Sequence, residues 1–418
     1  MARLVMKFGG TSVADMERIA RVARLVAAET AAGHSVAVVV SAMAGKTNEL
    51  VAWTDAAGRA APGLQPSDDE YDVVVASGET VTAGLLAMTL RHMGHKARSW
   101  LGWQIPILTE DVHGRARIED IPADALGAAV DGGEIAVIAG FQGVTSGGRI
   151  TTLGRGGSDT SAVAIAAALN AIRCDIYTDV DGVYTTDPRI EQRARRLARV
   201  SYEEMLEMAS LGAKVLQTRS VELAMAKGVP VRVLSSFIEP GEAGPDTGTI
   251  VCDEEEIVEK RIVSGVTYSR DEAKITMLGL PDRPGISSKV FSSLADANVN
   301  VDMIVQSRAR ASDAANMTFT VGKRDATKAM ELIQALKAEV GYEDAQVDED
   351  VAKVSVIGVG MRSHTGVAKT MFGALAERGV NIQVISTSEI KISVLIESAY
   401  TELAVRALHA AYGLDQVG

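Results

Sequence analysis

Leu4-Val5-Met6-Lys7-Phe8-Gly9-Gly10-Thr11-Ser12 is the stretch on which the reading of this chain turns. A short apolar run ends at Phe8 and meets two glycines. Met16, Ile19, Ala23 and Val26 then recur at helical spacing until Gly33 stops them. The order is strand, glycine turn, helix. Glycines let a backbone approach an anion closely, and a new helix offers unpaired N–H groups and the positive end of its dipole. Lys7 stands at the mouth of this turn as a point positive charge, and Ser12-x-x-Asp15 is expected to cap the helix. Taken alone, the segment reads equally well as an ordinary turn with a solvated lysine.

Working outward, Val36–Val40 and Ile135–Ala139 are continuous apolar runs, and Ile176–Thr178 is a third of this kind. Strands buried on both faces read this way. Their alternation with helical stretches predicts a mainly parallel sheet in a three-layer α/β/α domain. Val229–Leu234 reads as the last element of this part. Glu239 to Gly248, rich in Gly and Pro, and the acidic run Asp253–Glu256 read as a surface connection. The expected division is a domain over 1–246, a linker over 247–260, and two smaller units over 261–343 and 344–418.

The turn physics recurs at Gly154-Arg-Gly-Gly-Ser-Asp-Thr-Ser161, between a strand-like Ile150–Leu153 and an Ala-rich helix. Arg155 can grip a carboxylate bidentately and Asp159 can accept an ammonium; the plainer reading is that Asp159 and Ser161 cap the helix. Two such turns in one α/β domain favour a ligand site. Cys174 to Arg189 carries Asp179, Asp181 and Asp187 around a turn, but Tyr177 and Pro188 occupy required ligand positions of a calcium loop. Nucleoside contacts, or a loop held by Asx-turns, remain. Ala44-Gly45-Lys46-Thr47 imitates the end of a P-loop, yet Val40 stands where its first glycine is needed. Ser158 lacks the glycine of a nucleophile elbow. His92 and His95, which could share a helix face, have no third ligand in view.

The second half contains a repeat. Ile275-Thr-Met-Leu-Gly279 aligns with Val354-Ser-Val-Ile-Gly358, and Phe291, Leu294, Asn300 and Ser307 align with Phe372, Leu375, Asn381 and Ser388. Each copy reads as a βαββαβ unit, so two in tandem are expected. Such a pair either binds a ligand or serves as a duplicated structural appendage. The 42 Lys+Arg against 54 Asp+Glu give a net charge of −12, which argues against a nucleic-acid partner. No apolar run reaches the roughly 18 residues of a membrane helix, and no signal-peptide core follows Met1. The two cysteines, Cys174 and Cys252, form neither a metal pair nor a disulfide framework. A soluble cytoplasmic protein is expected.

Lys7-Phe-Gly-Gly-Thr-Ser-Val13, Ser77-Gly-Glu79, Thr152-Leu-Gly-Arg-Gly-Gly-Ser-Asp159, Tyr177-Thr-Asp179, Tyr184-Thr-Thr-Asp-Pro-Arg189 and Gly212-Ala-Lys-Val215 resemble the ordered motifs of aspartate kinases. Ile385-Ser-Thr-Ser-Glu-Ile390 in the repeat resembles the paired, ferredoxin-like ACT domains of the same enzymes. The resemblance spans essentially the whole chain, and with no dehydrogenase-sized extension after Gly418 it points to the monofunctional form.

That resemblance implies transfer of a phosphoryl group from ATP, carried with Mg²⁺ on its phosphates, to the side-chain carboxylate of L-aspartate. The step opens lysine, threonine and methionine biosynthesis. By similarity, Lys7 stabilises the transferred charge with the N–H groups of Gly9 and Gly10, Phe8 lying on the same turn. Arg155 binds the substrate α-carboxylate, while Glu79 and Asp159 take its ammonium, or Asp159 orients Lys7 instead. Ser41, Thr47, Phe141 and Ser158 shape the pocket. Thr178, Asp179, Tyr184, Arg189, Lys214 and Val215 belong to the nucleotide side, and no direct metal ligand is implied. In the ACT pair, Asp282, Gly285, Gln306, Asn381, Ile382, Ser388 and Glu389 are implied to meet lysine, threonine or both, in a dimer or tetramer. Arg362 to Gly366 replaces the first unit's Asp282-Arg-Pro-Gly285, so the two effector sites are expected to be unequal. The rival readings are another small-molecule kinase of this fold, or a regulatory amino-acid-binding protein with an inactive kinase half.

Overall fold

A computed structural model of the chain describes residues 1–59, 68–211, 215–239, 244, 247–257, 261–308 and 314–416. They fall into two compact units: Met1–Val183 with Arg196–Ala209 and Ala213–Val258, and Tyr184–Arg195 with Ser210–Gly212 and Glu259–Gly418.

The first unit begins with β1 (Arg3–Phe8), α1 (Met16–Ala31), β2 (Ser35–Val40), α2 (Lys46–Arg59), α3 (Asp68–Val75), α4 (Ser77–His92) and β3 (Ala97–Trp100). It continues with β4 (Leu108–Thr109), β5 (Ile118–Asp120), α5 (Asp124–Asp131), β6 (Ile135–Ala139), β7 (Gln142–Val144), β8 (Ile150–Thr152) and α6 (Gly157–Ala168). β9 (Cys174–Thr178), β10 (Arg199–Ser201), α7 (Tyr202–Ser210), α8 (Thr218–Lys227), β11 (Val231–Ser235) and β12 (Thr249–Cys252) complete it.

An eight-stranded sheet in the order β10-β12-β11-β9-β1-β2-β6-β3 forms the centre, and only the β11–β12 pair is antiparallel. β2 and β6 are buried along their whole length, which is why they read as unbroken apolar runs. Side chains alternate across the sheet. Leu4, Met6, Phe8, Val36, Val38 and Val40 pack in one core with Ile19, Val22 and Val26 of α1 and Leu86 and Leu90 of α4. Lys7 lies on the opposite face of β1, the strand against which α6 packs. A smaller sheet, β5-β4-β7-β8, stands beside this one.

Three expectations are corrected here. Asp15, not Ser12, caps α1: its carboxylate accepts the Arg18 N–H at 2.8 Å, because residues 10–13 form a separate 3₁₀ turn. The expected linker contains β12, a strand of the main sheet held between β10 and β11, whose short apolar core is masked by the Gly, Pro and acidic residues around it. His92 ends α4 with Nδ1 on the Met88 carbonyl, and His95 lies beyond the helix, so the two share no face. Continuous helical structure over Asp68–His92 is long and apolar enough to cross a membrane, but half of it is buried within the fold, as in a core helix.

The second unit holds β13 (Gly265–Pro281), α9 (Ile286–Asp296), β14 (Val301–Arg308), β15 (Ala314–Val321), α10 (Ala326–Ala335) and α11 (Lys337–Val340). β16 (Asp344–Ile357), α12 (Val367–Glu377), β17 (Val384–Thr387), β18 (Lys391–Glu397) and α13 (Thr401–Ala411) follow. One antiparallel sheet, β14-β15-β13-β16-β18-β17, joins both copies of the repeat. β13 and β16 are twice the usual strand length because each runs through two cores. Ile275 and Met277 of β13 pack with α9 and α10, whereas Val266 packs with Val354, Val356, Met371 and Leu408. Irregular pairing between Ser269 and Lys274 marks the crossing.

Candidate active site

Ligands of open α/β sheets bind beyond the carboxyl ends of the strands. A cleft of about 380 Å³ lies there, lined by Lys7 at the end of β1, Gly10 after it, Ser41 to Gly45 after β2, Phe141 after β6, and Gly154 to Asp159. Glu79 of α4, Thr47 and Asn48 of α2, and Gln217 ahead of α8 close it.

Close backbone approaches shape the turns. At Gly10 a Cβ would fall 2.9 Å from the Ala42 carbonyl oxygen, and at Gly157 it would fall 2.8 Å from the Phe141 ring and 2.9 Å from the Leu153 Cβ. Gly156, at φ 73°, caps α6, so the N–H groups of its first turn open toward the cleft. Phe141 itself has φ 67°, a conformation costing a non-glycine residue roughly 1–2 kcal/mol. Its carbonyl accepts the Leu153 N–H and its N–H donates to Ser161 Oγ, which fixes the ring over the turn.

Charge is distributed unevenly. Lys7 and Asp159 form an ion pair whose side chains are about one-tenth exposed, so the carboxylate touches the lysine. Glu79 is 3% exposed. One of its oxygens accepts the Ala42 N–H at 2.9 Å, and the other is buried with no hydrogen-bond partner. Desolvation pushes its carboxyl up to about 7, against the pull of that N–H. Arg155 is exposed at the rim. The cleft therefore offers an ammonium-sized anionic niche, a guanidinium, a paired lysine and helix N-terminal amides. That set matches a zwitterion beside a phosphate chain.

Ser41, Thr47, Phe141 and Ser158 line this cleft with Lys7, Gly10, Glu79, Arg155 and Asp159. Phe8 and Gly9 do not line it: Phe8 faces the core and stacks on Tyr177 at 4.6 Å. A Cβ on Gly9 would nevertheless lie 3.5 Å from Lys7 Nζ. Thr178, Asp179 and Val215 also lie outside the lining. Tyr184 and Arg189 belong to the second unit, where Asp187 holds Arg189 at 2.8 Å. Lys214 falls outside the described residues. Met43, Asn48 and Gln217 carried no sequence signal beyond proximity to glycine turns or a helix start. No group of three His, Cys, Asp or Glu among the described residues could hold a metal ion.

In the second unit Asp282 is paired with Arg308 at 2.9 Å and Gln306 accepts from Ser287 Oγ at 3.2 Å. Gly285, at φ 94°, caps α9. Met303 of β14 and Val384 of β17 share a buried cluster with Val351 and Leu395, which brings the two edge strands together. Asn381, Ser388 and Glu389 are exposed and Ile382 is half-buried.

The amino acid kinase family profile matches residues 2–235, and an ACT domain profile matches 275–336 and 354–412. The fold and the cleft thus define an amino acid kinase carrying an ACT pair. An aspartate kinase of Stutzerimonas stutzeri is 53% identical over 415 residues, covering 99% of this chain and 98% of that one. Two crystal structures of E. coli aspartokinase III, each 30% identical, share the fold. The one with aspartate and ADP has a TM-score of 0.77 over 98% of this chain and 99% of that one. The one with lysine and aspartate has 0.78 over 97% and 98%. The chain belongs to the aspartokinases, and it phosphorylates aspartate.

Proposed function

We propose that this aspartokinase seats L-aspartate with its ammonium on Glu79 and its α-carboxylate on Arg155. Lys7 neutralises the phosphoryl group in transit. The buried, unpartnered oxygen of Glu79 carries this reading: an unsatisfied carboxylate in a cleft is costly unless a ligand cation completes it.

The side-chain carboxylate of aspartate is ionised near neutral pH, its ordinary value being about 3.9, so no general base is required. One of its oxygens attacks the γ-phosphorus in line, the bond to the β-phosphate bridging oxygen breaks, and ADP departs with that electron pair. Lys7, held by Asp159, and the amide at Gly10 meet the charge as it spreads, whereas the Gly9 N–H is taken by the Tyr177 carbonyl. Magnesium is carried on the ATP phosphates as part of the Mg·ATP substrate. The nucleotide side is assigned to Thr178, Asp179, Tyr184, Arg189, Lys214 and Val215.

The same proposal covers regulation and setting. The kinase domain runs through β12 to about Val258, and the ACT units divide near 343 with their long strands shared. Threonine, lysine or both bind between Asp282, Gly285 and Gln306 on one side and Asn381, Ile382, Ser388 and Glu389 on the other, in a homo-oligomer formed through ACT domains. E. coli aspartokinase III, crystallised with lysine, supports that assignment. The enzyme works in the cytoplasm, where ATP is supplied, at the first step toward lysine, threonine and methionine. Trapping the acyl phosphate with hydroxylamine, using L-aspartate, L-glutamate and N-acetylglutamate in parallel, tests the substrate. Hydroxamate formed equally from glutamate would overturn this reading of the Glu79–Arg155 site.

A further inference from the structure

Asp72 lies in α3, outside the lining of the cleft, yet it is fully buried. Its carboxylate accepts His113 Nδ1–H at 2.8 Å, the Gly114 N–H at 3.0 Å and the Thr152 hydroxyl. On the far side of the ring, His113 Nε2 stands 3.6 Å from Asp111. A buried carboxylate tolerates no loose partner, so these three donors are held firmly.

Each donor leads to the turn that carries Arg155. Thr152 ends β8, three residues before it, and the Thr152 carbonyl accepts the Ala116 N–H at 2.9 Å. At Gly154 a Cβ would lie 3.2 Å from the Gly114 carbonyl oxygen and 3.5 Å from the Arg115 Cα, so residues 114–115 press directly on the turn. From the other side Arg219 donates to the carbonyls of Leu153 at 2.6 Å and Ala116 at 2.7 Å. Arg155 itself is exposed at the rim. Its aim is therefore set by its backbone.

We propose that Asp72 and His113 are positioning residues for aspartate, bracing the 111–116 loop against Gly154 so that the Arg155 guanidinium meets the substrate carboxylate. The proposal rests on the assignment of Arg155 above. Misplacement of a binding group by about 1 Å can cost on the order of 100-fold.

The test uses the full-length enzyme with KM measured separately for aspartate and ATP. His113→Ala should raise the aspartate KM about 10-fold or more and leave the ATP KM unchanged. His113→Asn keeps a side-chain N–H near Nδ1 and should restore most of the loss. Arg155→Ala should raise the aspartate KM strongly, and His113→Ala added to it should change little further, because the ring acts through the arginine. Equal losses for both substrates, an additive double variant, or a fall in Tm with unchanged KM would overturn the positioning role while leaving Arg155 in place. If Arg155→Ala spares the aspartate KM, the Arg155 assignment fails, and this inference falls with it.

Discussion

Glu79→Gln removes the charge from the most deeply buried ionisable group of the cleft and keeps its shape. In the free enzyme the carboxyl is pushed from 4.5 to about 7 by desolvation, a difference worth roughly 3 kcal/mol at about 1.4 kcal/mol per tenfold change in proton affinity. About one-tenth of the wild-type protein then carries the Glu79 charge at pH 6 and about nine-tenths at pH 8. If that charge receives the substrate ammonium, kcat/KM for aspartate should rise about tenfold across this interval. In Glu79→Gln the rise should vanish and kcat/KM should fall about 10- to 150-fold, the worth of a hydrogen bond to a charged group. With ATP as the varied substrate, the two proteins should share one pH profile. Stability runs the other way. A carboxyl raised in the folded state holds a proton that the unfolded chain has released, so the folded form loses stability as pH rises from about 4.5 to about 7. Apo Glu79→Gln should therefore melt above wild type at pH 8, with the gap closing toward pH 5. A hydroxamate assay across pH and a thermal scan decide it. A wild-type aspartate profile flat between pH 6 and 8 would refute the reasoning.

Lys7→Met should lower kcat by several orders of magnitude and also lower Tm, because it leaves Asp159 buried without its partner. Lys7→Met with Asp159→Asn should recover Tm but not turnover, which separates the two roles. Gly157→Ala places a Cβ 2.8 Å from the Phe141 ring; a cost of about 1–3 kcal/mol by denaturant unfolding and a raised aspartate KM are expected. Asp282→Ala removes the carboxylate paired with Arg308 and should weaken inhibition by threonine or lysine about 5- to 150-fold without touching uninhibited turnover. Calorimetric titration of each amino acid, alone and with the other, checks that.

The parts of the fold legible in the sequence were those where local chemistry and tertiary role coincide. β1, β2 and β6 are apolar because both faces are buried, and Gly10, Gly156 and Gly157 stand where a Cβ would collide. The repeat was legible because its cores need the same apolar positions twice. The rest depended on contacts between distant segments. β12 is short and set in polar sequence, so its strand character comes from pairing with β11 and β10. The shared course of β13 through two cores is invisible to a periodicity that looks the same in either core. Asp72 and His113 are 41 residues apart and acquire a relation only when α3 and the 111–116 loop meet. Gln217 enters the cleft beside Gly156 through the packing of α6 on α8.

The nucleotide-side candidates carry a consequence for control. Val183 is pinned in the first unit, its N–H donating to Thr249 Oγ1 at 2.8 Å and its carbonyl accepting from Leu197. One peptide bond later the chain is part of the second unit. The Thr185 hydroxyl pairs with His409 Nε2 at 2.9 Å, the Thr185 carbonyl accepts the Val266 N–H, and the Ile190 carbonyl accepts Arg406 of α13. Burial keeps His409 below the usual histidine range, so this contact is that of a neutral ring. Tyr184 and Arg189 therefore belong to the second unit, whereas Glu79 and Arg155 belong to the first. If an effector binds the second unit, as proposed above, it binds the unit that carries two of the proposed nucleotide residues. Feedback inhibition should then raise the KM for ATP more than that for aspartate. Initial rates on a grid of both substrates, with and without the effector, test this: inhibition confined to the aspartate KM would place the coupling elsewhere.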